Sequence, residues 1–218
     1  MKKTITKREQ TRKMTILAMF IAIIATLGLV PSVLGSTLGF IKISLTPPVE
    51  ATIIHIPVLI GGALLGRKFS VYLGLAFGVV ANIAAFIYIS PLFIYPWVAI
   101  LPRFLFGLMI YDVTNFFVKI TKNRLIGTGI SFFILTLIHT IMVLALMSTS
   151  YSMVLGTGNY VDDFVPYVLL LITLNIPWAS LIEMSLAAII GSVIVVRLSN
   201  YLSINNNNIY SEVESEWK

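Results

Sequence analysis

Long apolar runs separated by short polar or basic stretches dominate the pattern of this chain. A membrane-spanning helix needs about 20 mostly apolar residues to cross about 30 Å of hydrocarbon. The pattern predicts six such helices, at residues 14–34, 49–66, 69–89, 97–118, 125–147 and 174–198. The second is short, which indicates tilt or shielding by its neighbours, and the apolar piece at 164–173 indicates a short re-entrant or tilted helix. We therefore expect an all-α membrane protein with six transmembrane helices.

Composition supports a membrane location and narrows the chemistry. Hydrophobic residues make up 58% of the 218 positions and charged residues only 11%, with a mean hydropathy of +0.96. Soluble domains carry roughly 25% charged residues, so this chain has more apolar surface than one water-bounded core can bury. It contains no cysteine, which excludes disulfides, thiolate metal sites and cysteine nucleophiles.

The basic residues predict the topology. The net charge is +6, but its placement between apolar runs follows membrane topology and argues against a nucleic-acid partner. Twelve basic residues fall on one predicted side: Lys2, Lys3, Lys7, Arg8, Arg12, Lys13, Arg67, Lys68, Lys119, Lys122, Arg124 and Arg197. The other side carries only Lys42, together with the acidic pair Asp162 and Asp163. The positive-inside rule then puts both termini in the cytoplasm.

The same pattern divides the chain into three parts. We expect residues 1–13 to form a basic cytoplasmic segment, residues 14–200 a six-helix transmembrane domain, and residues 201–218 a disordered cytoplasmic tail rich in asparagine and glutamate. The first apolar run is too long for a signal peptide and lacks a cleavage site, so it reads as a retained helix.

Polar side chains recur at one depth within the predicted helices. Ionisable groups inside a membrane are costly and need a partner or a purpose. At about 1.5 Å per residue, most of them lie roughly 9–13 Å below the outer helix ends, with Asn175 at the mouth of the last helix. These residues are His55, Asn82, Arg103, His139, Asn175 and Glu183. Their convergence predicts a pocket that opens to the outside.

Purely structural roles are the alternative explanation for these polar residues. Arg103 and Glu183 would form a buried salt bridge, the histidines would bond carbonyls, and the amides would join helices. Asp112 lies near the cytoplasmic end of the fourth predicted helix and is expected to form an ion pair with Lys119 or Arg124. Tyr88, Trp97 and Trp178 are candidate pocket walls within an otherwise interfacial aromatic belt. The outer loops at 35–48 and 148–163 are candidate lids.

Known catalytic motifs are missing from the sequence. No Gly-x-Ser-x-Gly, His-Glu-x-x-His or P-loop pattern occurs, and no metal-ligand cluster or cofactor is expected. Small residues at a four-residue spacing are present, as in Ala18-x-x-x-Ala22 and Gly74-x-x-x-Gly78. Such pairs let another helix approach closely, and most of them read as internal packing.

Together these features resemble one family of membrane proteins. Six helices of this arrangement, with Ala18-x-x-x-Ala22 on the first, resemble the S components, or substrate-binding subunits, of energy-coupling factor (ECF) vitamin transporters. The segments at 51–66 (ATIIHIPVLIGGALLG), 74–78 (GLAFG), 101–103 (LPR) and 175–183 look most like the pantothenate-specific subgroup. That subgroup often has Asn-Thr in helix 5, where this chain has His139-Thr140.

The resemblance implies a function. An S component binds a vitamin outside, docks on a membrane coupling subunit and topples to release its substrate inwards, driven by two ABC ATPases. The resemblance implies that the alanine motif, here Ala18 and Ala22, contacts the coupling subunit. It also implies that the protein lies in the plasma membrane of a bacterium, with a Gram-positive source favoured. Pantothenate would bring a carboxylate to Arg103.

Other functions stay open at this point. Pyridoxine, hydroxymethylpyrimidine or riboflavin are the alternative substrates, and a neutral ring is favoured if Glu183 neutralises Arg103. In other classes, the chain would be a small membrane enzyme using His55, His139 and Glu183, or a scaffold without a ligand.

Overall fold

The computed structural model describes residues 7–33, 37–45, 48–88, 90, 92–154, 162, 165, 166, 169, 173 and 180–202. Its helices are α1 (Lys7–Leu29), α2 (His55–Leu65), α3 (Arg67–Ile87), α4 (Pro96–Ala99), α5 (Leu101–Thr121), α6 (Arg124–Val154), α7 (Leu181–Leu186) and α8 (Ser192–Leu202). A π-helical turn, Ala187–Gly191, joins α7 to α8. A two-stranded antiparallel hairpin, β1 (Phe40–Leu45) and β2 (Pro48–Thr52), lies between α1 and α2.

The helical membrane fold that the sequence predicts is confirmed. Among the described residues, five helical stretches are long and apolar enough to cross a membrane: Glu9–Leu29, Arg67–Ile87, Pro96–Thr121, Arg124–Tyr151 and Leu181–Asn200. Large apolar side chains such as Ile189 (67% exposed) and Phe86 (60%) point away from the bundle, as expected where lipid is the solvent. The chain is therefore a multi-pass membrane protein, with α2 as a sixth, shorter apolar helix.

Two helix boundaries differ from the prediction at the start of the chain. α1 begins at Lys7 rather than at residue 14, and the salt bridge of Lys13 with Glu9 (3.1 Å) stabilises this basic first part. It ends at Leu29 rather than at residue 34, because Pro31 disfavours helical geometry in the residue before it. Pro31 instead forms an isolated bridge with Thr37.

The hairpin is the main departure from the predicted helices. The second helix was expected from residue 49, but residues 48–52 form β2 and α2 begins only at His55. Phe40 pairs with Thr52 and Leu45 with Pro48, with an irregular register between Lys42 and Ser44. Apolar residues in this stretch satisfy a hydropathy window whether they form a helix or a strand.

The later boundaries differ less. The helix expected at 97–118 is two helices, α4 and α5, joined at Ile100, and the one expected at 125–147 extends to Val154. The predicted helix at 174–198 is described from Ser180 onwards and ends at Leu202. The predicted piece at 164–173 lies largely outside the described residues, as do residues 1–6 and most of the predicted tail.

Glycines bring the central helices into close contact. Gly74 of α3 and Gly107 of α5 face each other, and a Cβ on either would lie within 2.9 Å of the other's Cα. Ser70 stabilises the same crossing because its hydroxyl donates to Gly107 O at 2.6 Å. Gly66, with φ +98°, makes the turn between α2 and α3. Gly74-x-x-x-Gly78 therefore packs inside the bundle.

Candidate functional site

Arg103 owes its position to a break in the fourth apolar run. Pro102 has no N–H, so the carbonyl of Val98, four residues earlier, loses its helical donor. Arg103 replaces that donor, because its Nη1 donates to Val98 O at 2.8 Å. The guanidinium carbon lies 5.5 Å from the Phe77 ring centroid and 5.0 Å from that of Phe93. The cation thus lies within cation–π distance of two aromatic rings.

The Arg103 side chain still has unused hydrogen-bonding capacity. The residue is 7% exposed, and its Nε finds no partner in the described part of the chain. Five N–H donors on a rigid planar fork suit a carboxylate better than any other common group. A buried guanidinium with a donor left over therefore fits an anionic or strongly accepting group of a ligand.

Two histidines from different helices stack beside this arginine. His55 begins α2 and His139 lies in α6, and their ring centroids are 6.2 Å apart with an interplanar angle of 27°. The His139 ring also packs against Phe106 (4.8 Å between centroids) and Phe77 (5.6 Å). Phe77 contacts both His139 and Arg103, and His55 joins this group through its stacking on His139.

The histidines are buried without the hydrogen bonds they need. His55 is 0% exposed and His139 is 3% exposed. Neither ring nitrogen of His55, nor Nε2 of His139, has a hydrogen-bond partner among the described residues. The backbone of Thr52 lies close enough to His55 to interact electrostatically, but without the geometry of a hydrogen bond. A polar ligand would satisfy these atoms.

Glu183 connects the site to the hairpin. Its Oε1 accepts a hydrogen bond from the backbone N–H of Thr52, the last residue of β2. Arg103 and Glu183 act on each other electrostatically, but the described residues contain no direct ion pair between them. The buried salt bridge considered from the sequence is therefore not formed, and no carboxylate among the described residues pairs directly with Arg103.

The remaining predicted site residues have partners of their own or lie outside the structure. Asn82 Nδ2 donates to Phe93 O (2.9 Å) and Ile94 O (2.8 Å), and so holds the segment whose Phe93 ring covers Arg103. Tyr88 donates to Leu29 O at 2.8 Å. Trp97 is 47% exposed and donates to Ser150 Oγ at 3.0 Å. Asn175 and Trp178 lie outside the described residues.

Residues expected to lie away from the site do so. The sequence had indicated Lys119 or Arg124 as the partner of Asp112, but Asp112 forms a salt bridge with Arg67 (3.2 Å). The turn at Gly66 brings the start of α3, which carries Arg67, beside α5. Ala18 and Ala22 are exposed on α1, where Met19 (60%) and Ile23 (44%) are exposed beside them.

Several residues of the site were missed from the sequence. The aromatic walls Phe77, Phe93 and Phe106 look like ordinary apolar positions in a membrane helix or loop. The Thr52 N–H carries no residue-specific signal. Thr136, a fully buried threonine with an unpartnered Oγ1, precedes His139 by three residues, and that helical spacing was the one available clue.

Comparison with known proteins points to one family. A family model described as "ECF transporter, substrate-specific component" matches residues 12–195. The pantothenic acid transporter PanT of Lactococcus lactis subsp. cremoris (strain MG1363) is 30% identical over 211 residues, covering 88% of this chain and 96% of that protein.

A solved structure is similar in fold. The crystal structure of an S-component for biotin from an ECF-type ABC transporter matches with a TM-score of 0.53 and 22% identity, covering 90% of this chain and 95% of that one. The family match spans most of the chain and includes every described residue of the site. This chain therefore belongs to the substrate-specific S components of ECF transporters, which are transport subunits and not enzymes.

Proposed function

We propose that this S component binds pantothenate from outside the cell and delivers it to an ECF coupling module. The observation that carries the proposal is the buried Arg103 guanidinium. Within the described part of the chain, its Nε has no partner, and neither have nitrogens of the two nearby histidines. A buried arginine in a membrane protein that has no direct counter-ion among the described residues indicates a function. The 30% identical relative named as a pantothenic acid transporter supports the choice of substrate.

The chemistry of pantothenate suits the residues that cluster here. Its carboxylate would bind Arg103 through charge-assisted hydrogen bonds. Its hydroxyls and amide would satisfy His55 and His139, each of which offers one donor and one acceptor when neutral. Its gem-dimethyl group would lie against the wall formed by Phe77 and Phe106. The site thus offers one cation, neutral polar partners and an apolar surface.

We assign the other predicted site residues either indirect roles or direct contacts with the ligand. Glu183 would hold the end of β2 over the site through Thr52. We assign Asn82 an indirect role through Phe93, and Tyr88 and Trp97 roles at the rim, because their polar atoms bond protein groups. Asn175 and Trp178 stay predicted contacts of the ligand.

A neutral substrate is the second candidate, and Glu183 is the observation that favours it. Its electrostatic interaction with Arg103 offsets part of the positive charge that would attract a carboxylate. With that charge offset, a neutral ring such as pyridoxine or hydroxymethylpyrimidine would bind without bringing net charge into the site. Riboflavin remains the larger alternative.

A binding panel separates these substrates. The purified protein in lipid nanodiscs is titrated calorimetrically with pantothenate, pyridoxine, hydroxymethylpyrimidine, riboflavin and biotin. We expect saturable binding of pantothenate, roughly 10- to 150-fold tighter than that of any neutral vitamin, since one charge-assisted pair contributes roughly 1.5–3 kcal/mol. Tighter binding of a neutral vitamin would reject pantothenate as the substrate.

We further propose the topology and the docking face. Six spans with both termini in the cytoplasm follow from the asymmetry of the basic residues, if α2 crosses together with the hairpin. The exposed Ala18 and Ala22 would dock on the membrane coupling subunit, which two ABC ATPases drive. The setting would be a bacterial plasma membrane, and the Lactococcus relative supports a Gram-positive source.

A further inference from the structure

Thr136 is buried in α6 without the hydrogen bond that helical threonines usually make. A threonine in a helix commonly donates to a carbonyl three or four residues earlier, which satisfies its hydroxyl locally. Other threonines of this chain do so: Thr15, Thr26, Thr121, Thr149 and Thr173. Thr136 is 0% exposed, and its Oγ1 has no partner among the described residues.

The position of Thr136 links it to the histidine pair. It precedes His139 by three residues, so the two side chains lie on one face of α6, with Cβ atoms about 5–6 Å apart. The His139 ring packs against His55, Phe77 and Phe106. Thr136 therefore lies one turn from the His139 ring, on the Arg124 side.

Packing alone does not account for a threonine here. Valine has nearly the same shape and carries no hydroxyl, so it would fill the same space without burying an unsatisfied polar group. Packing alone therefore gives no reason for a hydroxyl at this position. A buried hydroxyl here is explained if it bonds a polar group of a bound substrate.

We propose that Thr136 is a specificity-determining residue whose hydroxyl binds a hydroxyl group of the substrate beneath the His55–His139 pair. This inference rests on the proposed function, because it takes the cluster around Arg103 as the substrate site. The substrate class is then a small molecule with a group that Arg103 binds at one end and a hydroxyl group that reaches Thr136. A site that hydrogen-bonds a substrate hydroxyl rejects analogues lacking it far more strongly than an apolar pocket rejects a missing methylene.

The test compares two isosteric substitutions in purified, nanodisc-embedded protein. Thr136→Val should weaken pantothenate binding about ten-fold or more, since a substrate hydroxyl loses its buried partner. The thermal midpoint of the ligand-free protein should stay equal or rise, because an unsatisfied hydroxyl is removed. Thr114→Val is the matched control: Thr114 is also 0% exposed, but its Oγ1 accepts from Ser131 at 3.3 Å. It should lower the midpoint and leave the affinity unchanged.

A ligand-side substitution completes the test. Pantothenate analogues in which one hydroxyl is replaced by hydrogen should lose affinity for the wild type. For the Thr136→Val variant, the analogue that lacks the hydroxyl bound by Thr136 should have the same affinity as pantothenate. Unchanged pantothenate affinity in Thr136→Val, or the same drop in midpoint as in Thr114→Val, overturns the inference.

The two proposals fail separately. If the wild type ignores pantothenate and binds pyridoxine, the proposed substrate is rejected, while Thr136→Val titrated with pyridoxine and deoxypyridoxine still decides the role of Thr136. If pantothenate binds the wild type and Thr136→Val equally well, only the inference about Thr136 is lost.

Discussion

Proline and arginine act together at the centre of the site. Pro102 removes one backbone donor, and Arg103 returns a donor to Val98 O from its side chain. The same bond fixes the guanidinium close to the rings of Phe77 and Phe93. Because one Nη1 bond anchors the group, the rest of its donor fork is oriented before a ligand arrives, which lowers the entropy cost of binding.

Replacing Arg103 should therefore affect binding more than folding. We expect Arg103→Gln to weaken pantothenate binding at least about 100-fold, or about 2.7 kcal/mol, because the charge-assisted pair is lost. The pantothenate affinity of Arg103→Lys should lie between those of the wild type and Arg103→Gln, since an ammonium keeps the charge and loses the planar fork. Calorimetric titration measures both variants. The matched control is Arg67→Gln, an exposed arginine paired with Asp112, which should bind like the wild type. Equal affinities in Arg103→Gln and Arg67→Gln would remove Arg103 as the anchor.

Asn82 should act through Phe93 rather than through the ligand. Its two bonds to the 93–94 backbone hold the ring that covers Arg103. We expect Asn82→Leu to speed pantothenate dissociation about ten-fold, since two hydrogen bonds contribute roughly 0.5–1.5 kcal/mol each. Stopped-flow dissociation rates of Asn82→Leu, Phe93→Leu and the double variant form a cycle. An indirect role predicts that the double variant is no faster than Phe93→Leu, whereas additive effects point to an independent contact.

At the scale of elements, α2 is the helix that hydropathy describes least well. Its 11 residues extend about 16 Å, roughly half the hydrocarbon thickness. Ten of them, including His55, are buried by the surrounding helices, so α2 does not meet lipid as an isolated span. The β1–β2 hairpin precedes it, and the Glu183 bond to Thr52 ties the end of that hairpin to α7.

Labelling on either side of α2 tests whether it crosses the membrane. The chain has no cysteine, so single-cysteine variants can be read without background. Leu38→Cys and Lys68→Cys lie at exposed positions before and after α2. We expect a membrane-impermeant maleimide to label Leu38→Cys in intact cells and Lys68→Cys only after permeabilisation. Identical labelling of both would mean that α2 does not cross and that the six-span topology is wrong.

At the scale of the whole molecule, α1 leaves small residues uncovered. Ala18 and Ala22 are exposed one turn apart, and the neighbouring Thr15 and Thr26 hydroxyls bond their own helix. A smooth face of this kind lets another helix backbone approach closely, which is how membrane helices associate. The candidate substrate site lies on other helices, so we expect the proposed docking and binding functions to be separable.

Bulky substitutions should separate them in practice. We expect Ala18→Trp and Ala22→Trp to abolish pantothenate uptake in cells that co-express the coupling subunit and both ATPases, because the helices can no longer meet. Titration of the purified variants should give wild-type affinity. Ile189→Trp, at another exposed apolar position on the π-helical turn, should retain both activities. Normal uptake by both alanine variants would reject this face as the docking surface.

The sequence by itself determined that this is a helical membrane protein and which costly side chains its membrane segments contain. Both follow from local properties: the transfer free energy of a segment, and the penalty for a charge or imidazole within it. The sequence therefore predicted that a few polar residues lie at one depth, because each stands out against apolar neighbours. These residues are His55, Arg103, His139 and Glu183. The hairpin could not be predicted in this way: β1 falls within the stretch 35–48 that was expected to be an outer loop, and the apolar residues of β2 suit a helix and a strand equally.

Only the tertiary structure decided which of these groups meet and which are already satisfied. Glu183 bonds Thr52 across 131 residues of sequence rather than pairing with Arg103, and Asn82 is occupied by a loop carbonyl. The physical reason is that lipid makes the outer face of each helix as apolar as its inner face, so periodicity does not show which way a side chain points. Contacts between distant residues depend on how the backbones cross, here at Gly74 and Gly107, and that geometry set the site.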